Sequence, residues 1–157
     1  MTVAGPHRVL VVDDEPAIRR FLRVGLGSQG YVVTEADAGL PAVDAARRGA
    51  ADMIVLDLGL PDIDGQEVIR RIRDSGSTMP IVVLSSRDDE SAKVSALDLG
   101  ADDYVTKPFG IEELLARIRT AMRHGLQQQG ERAVFRAGDL TVDLVRRLVT
   151  VRGDDVK

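Results

Sequence analysis

The sequence predicts a doubly wound α/β domain, a five-stranded parallel sheet with five helices, followed by a short β-rich segment. Three observations predict it. Five short apolar runs alternate with five segments of helical spacing. Three of the runs are apolar nearly throughout, as strands covered on both faces are. Several helical segments close on glycine, the usual residue just past a helix end.

The runs are RVLVV (8–12), YVVTE (31–35), MIVLD (53–57), IVVLS (81–85) and DYVTK (103–107). They are β-branched and about five residues long, which suits strands better than helices. The segments between and after them cover 15–30, 40–49, 64–76, 88–100 and 110–124. In the last, Ile111, Leu114, Leu115, Ile118 and Met122 recur at helical spacing on one face. Gly30, Gly49, Gly76 and Gly100 stand where four helices should end. Repeated β–α units imply a parallel sheet with helices on both sides.

The pattern breaks after residue 124. GLQQQGER is polar and linker-like, placing a linker at 125–133. Residues 134–157 read as short antiparallel strands joined by AGD and RGDD turns. Charge divides with them: residues 1–124 hold 15 basic and 20 acidic side chains, and residues 125–157 hold 6 and 5.

Composition narrows the function. The chain has 157 residues, a net charge of −4 and no cysteine, which excludes disulfide scaffolds, thiolate metal sites and cysteine nucleophiles. Two tyrosines and three phenylalanines are too few for a base-stacking surface. No apolar run approaches the roughly 20 residues of a membrane span. No signal peptide is evident. A cytoplasmic protein without membrane association is expected.

Polar residues interrupt the apolar runs at their C-terminal ends. Asp13 and Asp14 follow the first run, while Asp57, Ser85 and Lys107 end the third, fourth and fifth. In open α/β sheets, ligands bind beyond the carboxyl ends of the strands, where the strand order reverses. With the order 2-1-3-4-5, as in flavodoxin-like sheets, the first and third strands flank that point. Three carboxylates then meet at one rim and repel one another unless a cation joins them. Hard oxygen donors suit Mg2+. An ammonium and a hydroxyl nearby suit a phosphoryl group, with a carboxylate as nucleophile. Asp57, central in the sheet, is the best-placed nucleophile. Any one of these residues alone is as readily a loop cap or a solvated charge.

VVDDE, DLGLPDIDG, VVLSS and DYVTKPF, in this order and spacing, resemble the receiver domain of bacterial two-component response regulators. The resemblance covers residues 8–124. It implies that Asp57 accepts phosphate, that Ser85 and Lys107 contact the phosphoryl group, and that Mg2+ is held by Asp13, Asp14, Asp57 and the backbone carbonyl of Gly59. It implies a switch pair, Ser85 and Tyr104, and a cis bond between Lys107 and Pro108. GADDYVTKPF and the last helix resemble the OmpR/PhoB class, and DLGLPD, VLSSR and KPFG resemble the Kdp potassium-system regulators within it. That class implies a sensor histidine kinase as partner and a homodimer through the fourth helix, fifth strand and fifth helix. Val94, Leu97 and Leu115 are its expected apolar patch. Lys93 with Glu113, and Asp102 or Asp103 with Arg117, are its expected ion pairs. Residues 134–157 resemble the first strands of the class's winged-helix domain and stop before a helix–turn–helix. Promoter DNA is therefore expected as a partner only of the intact protein, in transcription control.

Other motifs are decoys. GLGSQG (25–30) fits a dinucleotide fingerprint literally, but a helical segment precedes it and a strand follows, the reverse of what that fingerprint needs. DIDG (62–65) lacks the carboxylates of a calcium loop and reads as a turn and helix start. Arg19, Arg20 and Arg23 read as a solvated helix face. Two rival functions share the fold. An aspartyl-phosphate phosphatase would carry its nucleophile in a D-x-D pattern on the first strand. A flavin binder would need a hydroxyl- and glycine-rich loop where this chain has DDEP.

Overall fold

The structure, a computed structural model, describes residues 7–125 and the backbone of two short strands beyond them. Contacts divide the chain into two compact units, Met1–Met122 and Arg123–Lys157. The first alternates β1 (Arg8–Val12), α1 (Pro16–Gly27), β2 (Val32–Ala36), α2 (Gly39–Arg47), β3 (Met53–Leu56), α3 (Gly65–Asp74), β4 (Ile81–Ser85), α4 (Glu90–Leu99) and β5 (Asp103–Thr106). A further helix, α5, follows over 111–125. The sheet is parallel, in the order β2-β1-β3-β4-β5. This is the predicted fold class.

Successive strand residues point to opposite faces, and the core divides accordingly. Leu10, Val12, Ile54, Leu56, Ile81 and Val83 pack with α2, α3 and α4. Val9, Val11, Met53, Val55, Val82, Leu84 and Val105 pack with α1 and α5. β1, β3 and β4 lie inside the sheet and are buried almost throughout, whereas the edge strand β2 is not. That is why three of the five runs are apolar nearly throughout.

The helix ends follow local chemistry. Asp64 and Asp89 cap α3 and α4 by accepting from Gln66 N and Ala92 N. The four expected glycines all have positive φ, and Gly100, at +122°, lies where a Cβ would meet Arg73 Cγ at 2.8 Å. α1 runs through GLG and ends before Ser28, so those glycines close a helix rather than open one.

In the second unit, β6 (Thr150–Val151) pairs antiparallel with β7 (Asp154–Asp155). The expected linker beyond residue 125 and the strands VFRAG and LTVDL lie outside the described residues. Among the described residues, no helix is long and apolar enough to cross a membrane.

Candidate functional site

The site forms because the strand ladder continues one residue past the strands. Asp57 N donates to Val12 O at 2.9 Å, Asp13 N to Ala36 O at 3.1 Å, and Lys107 N to Ser85 O at 2.8 Å. These bonds hold Asp13, Asp57, Ser85 and Lys107 along one rim. By the alternation of the strands, Asp13, Asp57 and Lys107 fall with the face under α1 and α5. Ser85 falls on the other face with Tyr104, which packs against the α3–α4 side of the core.

Asp13 is 2% exposed, Asp57 8% and Ser85 1%. Asp14 is exposed. Asp13, Asp14 and Asp57 each offer a carboxylate oxygen, and these oxygens lie within 4.8 Å of one another. Lys107 Nζ lies 2.9 Å from Asp13 Oδ2, 3.5 Å from Glu15 Oε1 and 3.8 Å from Asp57 Oδ1. Burial, then the charge of Asp13, raises the pKa of the Asp57 carboxyl, against the pull of Lys107 and a hydrogen bond from the Gly59 backbone. Burial alone would lower the pKa of Lys107, but its hydrogen bond to Asp13 and the surrounding carboxylates outweigh it and raise the value. One ammonium thus faces several carboxylates in a cleft of about 270 Å³, whose lining includes Asp14, Asp57, Ser85 and Lys107. Carboxylate oxygens packed this closely fit a small, hard divalent cation.

Gly59 lines the same cleft, and a Cβ there would stand 4.0 Å from Asp57 Oδ2, an ordinary contact. The Lys107–Pro108 bond is cis. Ser85 Oγ accepts from Arg87 N at 3.1 Å, and the Tyr104 hydroxyl donates to Arg87 O at 2.5 Å. The expected switch pair is therefore joined through one backbone residue. The Arg87 guanidinium reaches over the cleft to Asp64 Oδ1 at 2.5 Å.

The residues of the expected dimer face differ in their surroundings. Val94 and Leu97 are exposed, but Leu115 is 6% exposed and packs into the core beneath α5. Asp102 is held within the chain, accepting from Ile81 N at 2.8 Å and pairing with Arg73 at 3.1 Å. Arg117 has its partners inside its own protomer, Asp103 at 2.9 Å and Glu113 at 3.0 Å. Lys93 has no carboxylate within ion-pair distance among the described residues.

Two residues around the site gave no sequence signal. Arg19 belongs to the helix face read as solvated, yet it is only 18% exposed. Its guanidinium donates to Asp13 O at 2.6 Å and to Glu35 at 3.1 Å. Asp62, read as part of a turn, accepts from Gly39 N and Leu40 N at 2.7 Å and so caps α2 from the β3–α3 loop. The Arg19–Glu35 and Asp62 contacts join segments 16 and 22 or 23 positions apart, which no local spacing encodes.

The response regulator receiver domain family matches residues 9–119. The transcriptional regulatory protein KdpE of Mycobacterium tuberculosis is 48% identical over 94% of this chain and 66% of its own length. KdpE of Escherichia coli is 48% identical over 94% and 64%. The response regulator MprA of Mycolicibacterium vanbaalenii is 46% identical over 95% and 65%. The chain thus spans a little under two thirds of the length of these curated relatives. Among solved structures, the receiver domain of the Francisella response regulator 1452 superposes with a TM-score of 0.72 at 32% identity, covering 75% of this chain and 98% of that one. The response regulator domain of Thermotoga maritima CheB gives 0.69 at 34%, covering 75% and 97%. With the acidic rim, the buried Asp57 and the Lys107 contact in place, the family match over 9–119 settles the class: this chain belongs to the response regulator receiver domain family.

Proposed function

We propose that residues 1–124 are the receiver domain of a two-component response regulator of the OmpR/PhoB class, which accepts a phosphoryl group on Asp57 from a sensor histidine kinase. In the intact protein, residues 125–133 link it to a winged-helix domain beginning at 134, and phosphorylation controls transcription. The relatives named as transcriptional regulators support that wider reading.

One observation carries the proposal. Asp57 is buried at the end of the central strand, with Lys107 Nζ 3.8 Å from Oδ1 and two further carboxylates beside it. Asp57 is the nucleophile whose carboxylate oxygen attacks phosphorus as the phosphorus–nitrogen bond to the kinase histidine breaks and the imidazole leaves. Lys107 balances charge on the phosphoryl oxygens, and the Ser85 hydroxyl donates to one of them. Asp13, Asp14, Asp57 and the Gly59 carbonyl are the ligands for Mg2+, which neutralises carboxylate and phosphoryl charge when bound. The chain catalyses no step on a free substrate beyond its own phosphorylation and dephosphorylation. Its partner in the active state is a second copy of itself, meeting it through α4, β5 and α5.

Incubation with acetyl phosphate and Mg2+, followed by intact-mass measurement, tests this reading. One phosphoryl group is expected on the wild type, none after chelation, and none on Asp57→Asn. Magnesium-dependent labelling of Asp57→Asn at the wild-type level would overturn it.

A further inference from the structure

The three carboxylates are not equally anchored. Asp13 is held on every side. Its N–H donates to Ala36 O, and its carboxylate accepts from Glu15 N at 2.9 Å and from Lys107 at 2.9 Å. Asp57 is buried and braced by the Gly59 backbone. The exposed Asp14 carboxylate has no hydrogen bond or ion pair among the described residues. What orients it is its backbone, and the peptide leading into Asp14 is the one whose oxygen Arg19 grips at 2.6 Å.

The grip is built. Arg19 stands one turn into α1 and is four-fifths covered. Its Nε is fixed by Glu35 Oε1 at 3.1 Å, and Glu35 Oε2 is held by Arg23 at 2.6 Å. The two guanidiniums hold the pKa of the Glu35 carboxyl below its usual range, mainly through the Arg23 hydrogen bond. Glu35 lies on β2, in register with Val11 of β1. The chain Arg23–Glu35–Arg19–Asp13 O thus runs from the edge of the sheet to the peptide before Asp14.

We infer that Arg19 is a positioning residue for the divalent cation, fixing Asp14 through the Asp13–Asp14 peptide, with Glu35 and Arg23 as its brace. This rests on the proposed metal site, but it assigns a role outside that set of ligands. Charge and position predict opposite signs. As a positive charge near the acidic rim, Arg19 opposes cation binding, so removing it should tighten the site. As an orienting donor it assists binding, and removing it should loosen the site. Loss of an outer partner of a metal ligand commonly costs about 10-fold or more in affinity.

The experiment is a calorimetric Mg2+ titration of the unphosphorylated 157-residue chain, in wild type, Arg19→Met, Arg23→Met and Asp14→Ala. Metal-free NMR of the Asp13 carbonyl and the Asp14 amide reports the hydrogen bond itself. Arg19→Met is expected to weaken Mg2+ by about 10-fold and to shift both resonances without metal. Arg23→Met removes the same charge and loosens the brace but leaves the Asp13 contact itself, and should weaken Mg2+ binding less than Arg19→Met does. Equal or tighter binding by Arg19→Met overturns the inference while leaving the metal site intact. Equal losses in both arginine variants, with unshifted Asp13 and Asp14 resonances, also overturn it. Wild-type binding by Asp14→Ala, or no binding by the wild type, overturns the metal site itself and this role with it.

Discussion

Lys107 donates to Asp13 at 2.9 Å, joining the end of β5 to the end of β1 across the ends of β3 and β4. It is the ammonium that faces the acidic rim. Lys107→Met should therefore destabilise the domain at neutral pH without divalent ions, by about 1–2 kcal/mol, since breaking a paired charge in a half-open cleft costs less than in a closed core. The folded pKa of Lys107 is raised. Its stabilisation is thus fully present below the unfolded value, about 10.4, and is lost as pH rises through the folded one. Millimolar Mg2+ should restore part of the loss at pH 7 by supplying the missing charge. Urea unfolding with and without Mg2+ measures this. An equal deficit in both conditions would mean that Lys107 acts through packing.

Asp57 works in the opposite sense. Burial and the Asp13 charge raise its folded pKa, so the ionised carboxylate costs stability at neutral pH. Asp57→Asn should stabilise the metal-free domain at pH 7 by about 1 kcal/mol, a typical single-substitution effect. The gain should shrink as pH falls through the folded value and vanish below the unfolded value of about 3.9. Saturating Mg2+ should reverse the ranking, because a ligand at 100 times its dissociation constant adds about 2.7 kcal/mol to a protein that binds it. Thermal melts across pH, with and without Mg2+, check both signs. A gain that persists at pH 3 would rule out titration as its cause.

The central strands and the reactive rim were legible because one physical fact underlies both. Strands buried on two faces can carry polar groups only where they end, so Asp13, Asp57, Ser85 and Lys107 stand out against apolar runs. The edge strand was less distinct, reading as 31–35 and forming at Val32–Ala36. Leu115 shows two sequence arguments in conflict. Its helical spacing with Leu114, Ile118 and Met122 marks it as core, where it packs, whereas resemblance puts it on a dimer patch. The partners of Asp102, Arg19 and Asp62 gave no sequence signal for one reason. They lie 29, 6 or 16, and 22 or 23 positions away, and only the folded sheet brings them together.

Gly65 opens α3 directly beneath the end of β3. A Cβ there would stand 2.6 Å from both Asp57 O and Leu58 Cα. Alanine favours a helix over glycine by about 1 kcal/mol, but backbone this close cannot yield without moving the β3–α3 loop. Gly65→Ala should lose about 1–3 kcal/mol net, as overpacked sites do, and slow phosphorylation of Asp57. Gly27, at the end of α1, has nothing within 4 Å of such a Cβ. Gly27→Ala should gain about 0.5–1 kcal/mol. Denaturant midpoints of the pair provide the comparison, and a stabilised Gly65→Ala would show that the loop is free to shift.

The face made by α4, β5 and α5 should associate through Val94 and Leu97, which are 47% and 44% exposed. Arg117 already holds Asp103 and Glu113 in its own protomer. A crossed pair in a symmetric dimer would exchange one such contact for another. Exposed pairs are worth about 0–1 kcal/mol each, so the exchange fixes register and adds little strength, and the apolar pair must supply the association. Leu97→Glu should therefore abolish the dimer of the beryllofluoride-treated chain in sedimentation, with its melting temperature little changed. Arg117→Ala should weaken the dimer by less than about 10-fold, the equivalent of about 1.4 kcal/mol. Arg117→Asp combined with Asp103→Arg should recover part of what either reversal loses. A dimer untouched by Leu97→Glu would mean that activated copies meet on another face. If the two reversals change melting but not sedimentation, the Arg117–Asp103 pair serves only its own protomer.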